Sequence, residues 1–127
     1  MNHISRTSAF SSITLAFSIL LTVPALAADK FATKDEFVAA AAGKTLTTKT
    51  KKGDTYTATY DAKGGGTFAI GSKAPAKFTW TFKGDTLCSE FKSMKFTECN
   101  KVVVTSPAEL KFVDAKSGSV NNVYSVK

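Results

Sequence analysis

Histidine and arginine occur once each, as His3 and Arg6, and neither is found again after residue 6. Lack of histidine in the rest of the chain removes the commonest general base, the commonest metal ligand and the Ser-His and Cys-His nucleophile systems. Lack of arginine removes the planar fork that grips phosphate and carboxylate bidentately, so specific nucleic-acid recognition is not expected. There is no Walker motif, dinucleotide fingerprint or EF-hand loop. Asp54, Asp61, Asp85 and Asp114 are scattered over predicted turns, where aspartate serves local hydrogen bonding. The inventory points away from an enzyme, and no catalytic residue, metal or cofactor is expected.

Long apolar runs are also scarce. The one present, Ile13 to Val23, follows a polar start carrying Arg6 and ends at Pro24 and Ala25-Leu26-Ala27. It is short for a bilayer span and matches the core of an export signal with a small-x-small cleavage site. Residues 1–27 are therefore predicted to be a cleaved signal peptide. Residues 28–127 are predicted to be one small β-rich domain, periplasmic or secreted, with no transmembrane segment after cleavage and expected to be a monomer.

Cysteine is limited to Cys88 and Cys99. Two thiols with no histidine nearby do not complete a zinc shell, and in an exported chain they imply a disulfide. The spacing supplies its geometry. A turn centred between Ser93 and Met94 sets Phe91 opposite Phe96 and Cys88 opposite Cys99, so one register satisfies both pairs. Positions 88 and 91 then lie on opposite faces. If Leu87, Phe91 and Phe96 face the core, the cystine faces outward beside Glu90 and Lys101, as a staple rather than a redox centre.

What the chain does have is lysine and alternation. From residue 28 on, sixteen lysines oppose ten carboxylates, a net charge near +6. This basic balance favours solubility and attraction to anionic surfaces. Thr33-Lys34-Asp35-Glu36 is a capping box, and Phe37, Ala40 and Ala41 share one face of a helix of about ten residues that Gly43 ends as a left-handed cap. Its narrow face suits packing on a sheet, with Phe37 as anchor. Beyond it the period is two. Strands are predicted over residues 44–51, 55–60, 67–70, 77–83, 86–91, 95–104, 109–114 and 120–126, with Asp61 to Gly66 as a loop. The fold class is mainly β: an antiparallel meander of about eight strands forming a small barrel or a strongly bent sheet, with the helix plugging one end or covering one face. The alternative is a flatter α+β arrangement of helix on sheet.

Two sets of residues are candidates for binding. Tyr56, Tyr60, Phe68, Phe78, Trp80 and Phe82 fall on neighbouring strands and either line an apolar cavity or simply form the core. Lys49, Lys51 and Lys52, with Lys63 near them if the first hairpin forms, are candidates for contact with lipid head groups or other anionic envelope surface.

The leader, the capped helix ending in Ala42-Gly43-Lys44-Thr45-Leu46, and the meander carrying Trp80, Gly84-Asp85, Leu87-Cys88 and Cys99 together resemble the small exported proteins of unknown function of Gram-negative alpha-proteobacteria. That resemblance implies an exported, disulfide-bonded domain and brings no activity or catalytic residue. The function expected is that of a non-catalytic exported binding protein of the envelope, taking a small apolar ligand or an anionic envelope component. The alternative is a protein-interaction factor, such as a hydrolase inhibitor or an envelope-stress or host-interaction accessory protein. An acidic partner suits such a factor better than a basic one.

Overall fold

The computed structural model describes residues 30–127, so the expected signal peptide lies outside the described residues. The chain forms one helix, α1 (Lys34–Ala41), and eight strands: β1 (Thr45–Lys49), β2 (Thr55–Tyr60), β3 (Gly65–Ile70), β4 (Ala76–Lys83), β5 (Thr86–Phe91), β6 (Phe96–Ser106), β7 (Glu109–Asp114) and β8 (Val120–Val126). Each strand pairs antiparallel with its sequence neighbour, and β1 pairs with β8, closing the meander into a barrel. Of the two shapes expected, a small barrel or a bent sheet, the barrel is the one formed. Closure rests on the short ladder Leu46↔Val126 and Thr47↔Ser125, extended by reciprocal backbone bonds between Thr45 and Lys127.

Period-two sequence becomes an inside and an outside. Phe78 and Trp80 of β4 point in and are 3 % exposed, while Lys77, Thr79, Thr81 and Lys83 point out. Leu46, Ala58, Tyr60, Phe68, Leu87, Phe91, Val102, Leu110, Phe112 and Tyr124 complete the interior. An eight-stranded barrel is just wide enough for side chains to fill, and here the rings touch one another along its length. Tyr60 meets Phe78 at 4.9 Å between centroids, Phe68 meets Phe91 at 5.1 Å, and Phe112 meets Tyr124 at 4.7 Å.

Helix α1 closes one end. Thr33 and Glu36 form the capping box: the Glu36 amide donates to Thr33 Oγ1 at 3.3 Å, and the Thr33 amide donates to Glu36 Oε1 at 3.4 Å. Phe37 is fully buried, its ring 5.1 Å from Tyr60, 5.6 Å from Trp80 and 5.5 Å from Phe82. The segment before the helix is tied to β6 by the Ala32 amide on the Val102 carbonyl (2.7 Å) and by Lys101 over the Phe31 ring. The helix has 8 residues, shorter than expected, because Ala42 already turns extended to bridge Tyr60. Gly43 has the expected positive φ, 74°, yet Ala42 is the C-cap, and the Gly43 amide is taken by the Tyr60 carbonyl instead of the helix's own.

Two further expectations are corrected. Gly65 and Gly66 belong to β3 rather than to a loop, since both pair with β4, opposite Thr79 and Phe78. Phe96 does not face a buried core: it pairs with Phe91 as expected but is 50 % exposed, because it is the first residue of β6 and stands at the barrel rim. The predicted register of the cystine hairpin is the one observed, with Cys88 opposite Cys99, bonded, and 4.1 Å apart at Cα. Leu87 and Phe91 point in, which leaves the half-buried cystine on the outer wall.

Candidate functional site: the open mouth of the barrel

In a meander, alternate connections fall at the same end. Connections 61–64, 84–85 and 107–108 share an end with α1. Connections 50–54, 71–75, 92–95 and 115–119 surround the other end, over which no α-helix lies among the described residues. The described residues therefore form a barrel plugged at one end and open at the other.

The two ends differ in charge. The four connections at the mouth carry six lysines, Lys51, Lys52, Lys73, Lys92, Lys95 and Lys116, and one carboxylate, Asp54. At the plugged end, the connections and residues 30–44 carry four lysines and four carboxylates, a balance of zero. Apolar side chains are exposed at the mouth as well. Met94 (46 % exposed) and Phe96 (50 %) project from the β5–β6 turn, where a 3₁₀ turn over Lys92–Met94 and a left-handed Lys95 (φ 50°) lift the chain off the rim.

Within the mouth is a cleft of about 220 Å³ lined by Thr48, Lys49, Thr50, Tyr56, Phe91, Met94, Phe96, Glu98, Asn122 and Tyr124. A larger hollow of about 760 Å³ shares Lys49, Thr50, Phe96, Glu98 and Asn122 with it and runs out over Asp114 and Lys116. The floor is aromatic: Phe91 is buried beneath Phe96, with which it stacks at 6.1 Å, and Tyr56 lies 6.1 Å from Phe68 and 6.2 Å from Tyr124. Strand alternation turns Glu98 toward the interior with Asn100 and Val102, above that floor. Burial pushes the Tyr56 phenol above its usual range, and the Glu98 charge adds to the shift. Tyr124 is raised chiefly by burial, then by neighbouring tyrosines and Glu98. Lys49 alternates to the outer face of β1, where its Nζ donates to the exposed Thr55 Oγ1 at 3.0 Å. A bulge in β8 between the pairs Phe112↔Asn122 and Val113↔Val120 leaves Asn121 unpaired in the ladder, and its side-chain amide donates to the buried Asn100 Oδ1 at 2.8 Å. That bond satisfies a polar group the barrel would otherwise strand beneath the mouth.

The six predicted aromatics all belong to the interior, and most of them are one another's packing. Tyr60, Phe68, Phe78 and Trp80 are buried ring against ring, and the Trp80 indole donates to the Gly65 carbonyl at 2.9 Å. Phe82 is half-buried against Phe37 at the plugged end. Tyr56 alone of the six lines the cleft at the mouth. Lys49, Lys51 and Lys52 stand exposed at the mouth, but Lys63 is in the β2–β3 connection at the far end of β2, because the hairpin places its two flanking turns a strand length apart. Sequence reading missed Met94, Phe96 and Glu98 as features of the mouth. A signal was present: once a meander is assumed, lysines counted by alternate connections already separate the two ends.

A larger concavity than the mouth cleft lies on the outer wall over β2 to β5. It is an open groove of about 970 Å³ above the side-chain-free backbone of Gly65 and Gly66, edged by Thr59, Lys77 and Glu90, and two of the predicted aromatics, Tyr60 and Phe78, also line it. No group of three or more His, Cys, Asp or Glu among the described residues could hold a metal ion. No helix among them is long and apolar enough to cross a membrane. No protein-family model, curated protein or solved structure matches the chain.

Proposed function

We propose that this chain is a non-catalytic, exported binding protein of the bacterial envelope that docks through the mouth of its barrel on an anionic envelope surface. The observation that carries the reading is the asymmetry of the two ends: six lysines against one carboxylate around the mouth, with Met94 and Phe96 exposed among them, and charge balance at the plugged end. Lysines near an anionic surface contribute about 1 kcal/mol each, and two projecting apolar side chains add burial at the interface. The apolar leader of residues 13–23 and the Cys88–Cys99 bond support export to an oxidising compartment. The ring-filled interior favours surface docking over an apolar ligand held deep in the barrel.

The test is co-sedimentation with vesicles of phosphatidylglycerol mixed into phosphatidylcholine, against phosphatidylcholine alone. Binding should require the anionic lipid and weaken with salt. Reversal of Lys51, Lys52 and Lys95 to Glu should weaken it at least a hundredfold, at about 1 kcal/mol for each lysine lost. The same reversal at Lys30, Lys34 and Lys44 should leave most of it. Equal loss from both triple variants, or equal binding to both vesicles, overturns the reading.

A further inference from the structure

Beyond docking on an anionic surface, we propose that the mouth cleft holds a quaternary ammonium group, with Glu98 as its counter-ion and aromatic rings as its walls. The cleft of about 220 Å³ is lined by Glu98, Tyr56, Tyr124, Phe91 and Phe96. Glu98 is the carboxylate that turns into it, and its charge is left uncompensated. The salt bridges Lys30–Glu36 and Lys101–Asp85 do not involve it. Lys49 alternates to the outer face of β1, where the Thr55 hydroxyl holds its ammonium. Lys51, Lys52, Lys92, Lys95 and Lys116 stand exposed on the connections around the rim, where solvent and salt screen them. A half-buried carboxylate without a partner costs stability, and a cation in the cleft relieves that cost.

Aromatic rings flank that charge from two sides. β2 and β6 are four strands apart in a closed ring of eight, so Tyr56 faces Phe96 and Glu98 across the barrel. On one wall half-buried Tyr56 lies 6.2 Å from buried Tyr124. On the other, Phe96, 50 % exposed, stacks on buried Phe91 at 6.1 Å. Each wall therefore keeps one ring partly open to the cleft. The Glu98 charge is felt by both phenols, adding to the upward shift that burial gives Tyr56 and Tyr124. A cation between the walls is attracted twice over, by the carboxylate and by the ring quadrupoles. Charge and ring faces suit a quaternary ammonium, which has no N–H to satisfy. A primary ammonium brings three donors, and the cleft holds one carboxylate to take them. The volume accommodates a head group of a few heavy atoms and no acyl chain. Such a group is available as a free solute or as a membrane lipid head group.

The test compares choline with its neutral isostere, in which carbon replaces the charged nitrogen. Each is titrated into the folded protein and followed by amide chemical shifts. Choline should move residues 56, 96 and 98 together and bind roughly tenfold more tightly than the isostere, or better. Glu98→Gln should abolish that preference without lowering the urea midpoint, which separates loss of the counter-ion from loss of the fold. Phe96→Leu, at the exposed rim, should weaken choline by about threefold and spare the isostere. Lys49→Gln, on the outer face, should leave choline binding as it is. Equal affinity for the two compounds, absence of choline binding at millimolar concentration, or a preference that survives in Glu98→Gln overturns the inference. Vesicles of constant phosphatidylglycerol content, with phosphatidylcholine or phosphatidylethanolamine as the remainder, separate the sources, and either result keeps the assignment. Preference for phosphatidylcholine, lost in Glu98→Gln, identifies the lipid head group; choline binding without vesicle preference identifies a free solute. Docking on phosphatidylglycerol is scored on its own: its failure removes the anionic-surface reading and leaves the choline titration to be judged by itself.

Discussion

Gly66 and Phe78 stand opposite each other across β3 and β4, and the phenyl ring fills the space a side chain at position 66 would need. A Cβ added at Gly66 would lie 2.5 Å from Phe78 Cζ and closer still to the Thr59 carbonyl oxygen. The pair explains why a residue that weakens most strands is found inside one: its bareness lets an aromatic ring cross the barrel interior. Gly66→Ala should therefore destabilise the fold by roughly 1–3 kcal/mol, the usual cost of overpacking, seen as a lower urea midpoint. A midpoint equal to that of the unmodified protein would show that the ring can move aside freely.

Phe37 joins the helix to the barrel, touching Tyr60, Trp80, Phe82 and Phe112. Phe37→Ala should cost about 3–5 kcal/mol, the range for buried aromatic truncation, and should alter the Trp80 fluorescence. Loss of the cap by Thr33→Ala should cost only about 1 kcal/mol. If the two variants unfold at the same denaturant concentration, the helix is held by its own cap and not by the ring.

The cystine joins neighbouring strands on the outer wall; Cys99 edges the hollow beside the mouth, but neither cysteine lines the mouth cleft itself. A Cys88→Ser/Cys99→Ser variant should lose on the order of 2.5–3 kcal/mol by the chain-entropy account, measured by equilibrium unfolding. Vesicle binding at a temperature where the variant remains folded should persist. A stable double variant without binding would assign the cystine a functional role.

Stability should fall at both pH extremes, for different reasons. Burial raises the phenols of Tyr56, Tyr60 and Tyr124. A raised native pKa leaves stability intact below the unfolded value, about 10 for tyrosine, and removes it as pH climbs beyond, because the unfolded chain ionises first. Asp61 and Asp114 are held below the usual carboxylate range, chiefly by backbone amides: Gly65 and Lys63 for the first, Ser117 and Lys116 for the second. A depressed native pKa supplies stability at neutral pH that is lost as pH falls through the native value. Thermal midpoints measured across pH should show a plateau between the two limbs. Asp61→Asn should lower the midpoint at pH 7 and approach the unmodified protein as pH falls and the carboxylate is protonated, while an unchanged midpoint at pH 7 would leave that carboxylate without a stabilising role.

Sequence alone determined what depends on neighbours along the chain. The capping box needs only Thr33 and Glu36, three positions apart. The register that sets Cys88 opposite Cys99 and Phe91 opposite Phe96 needs only one turn and period-two alternation, because slipping by one residue would reverse every side chain. Alternation also marked Trp80 and Phe78 as interior residues. Tertiary structure decided what depends on distant partners. Whether the sheet closes rests on β1 meeting β8, as in the Ser125 hydroxyl that donates to the Thr47 carbonyl across 78 positions, and no local pattern encodes that meeting. Alternation says which face Phe96 and Glu98 share but not how far along the barrel they stand, so it could not tell a core phenylalanine from one at the rim. Lys63 parted from Lys49, Lys51 and Lys52 for the same reason: position along the barrel axis is a property of the assembled strands. The mouth, with its lysines, exposed apolar side chains and inward carboxylate, is a product of that assembly.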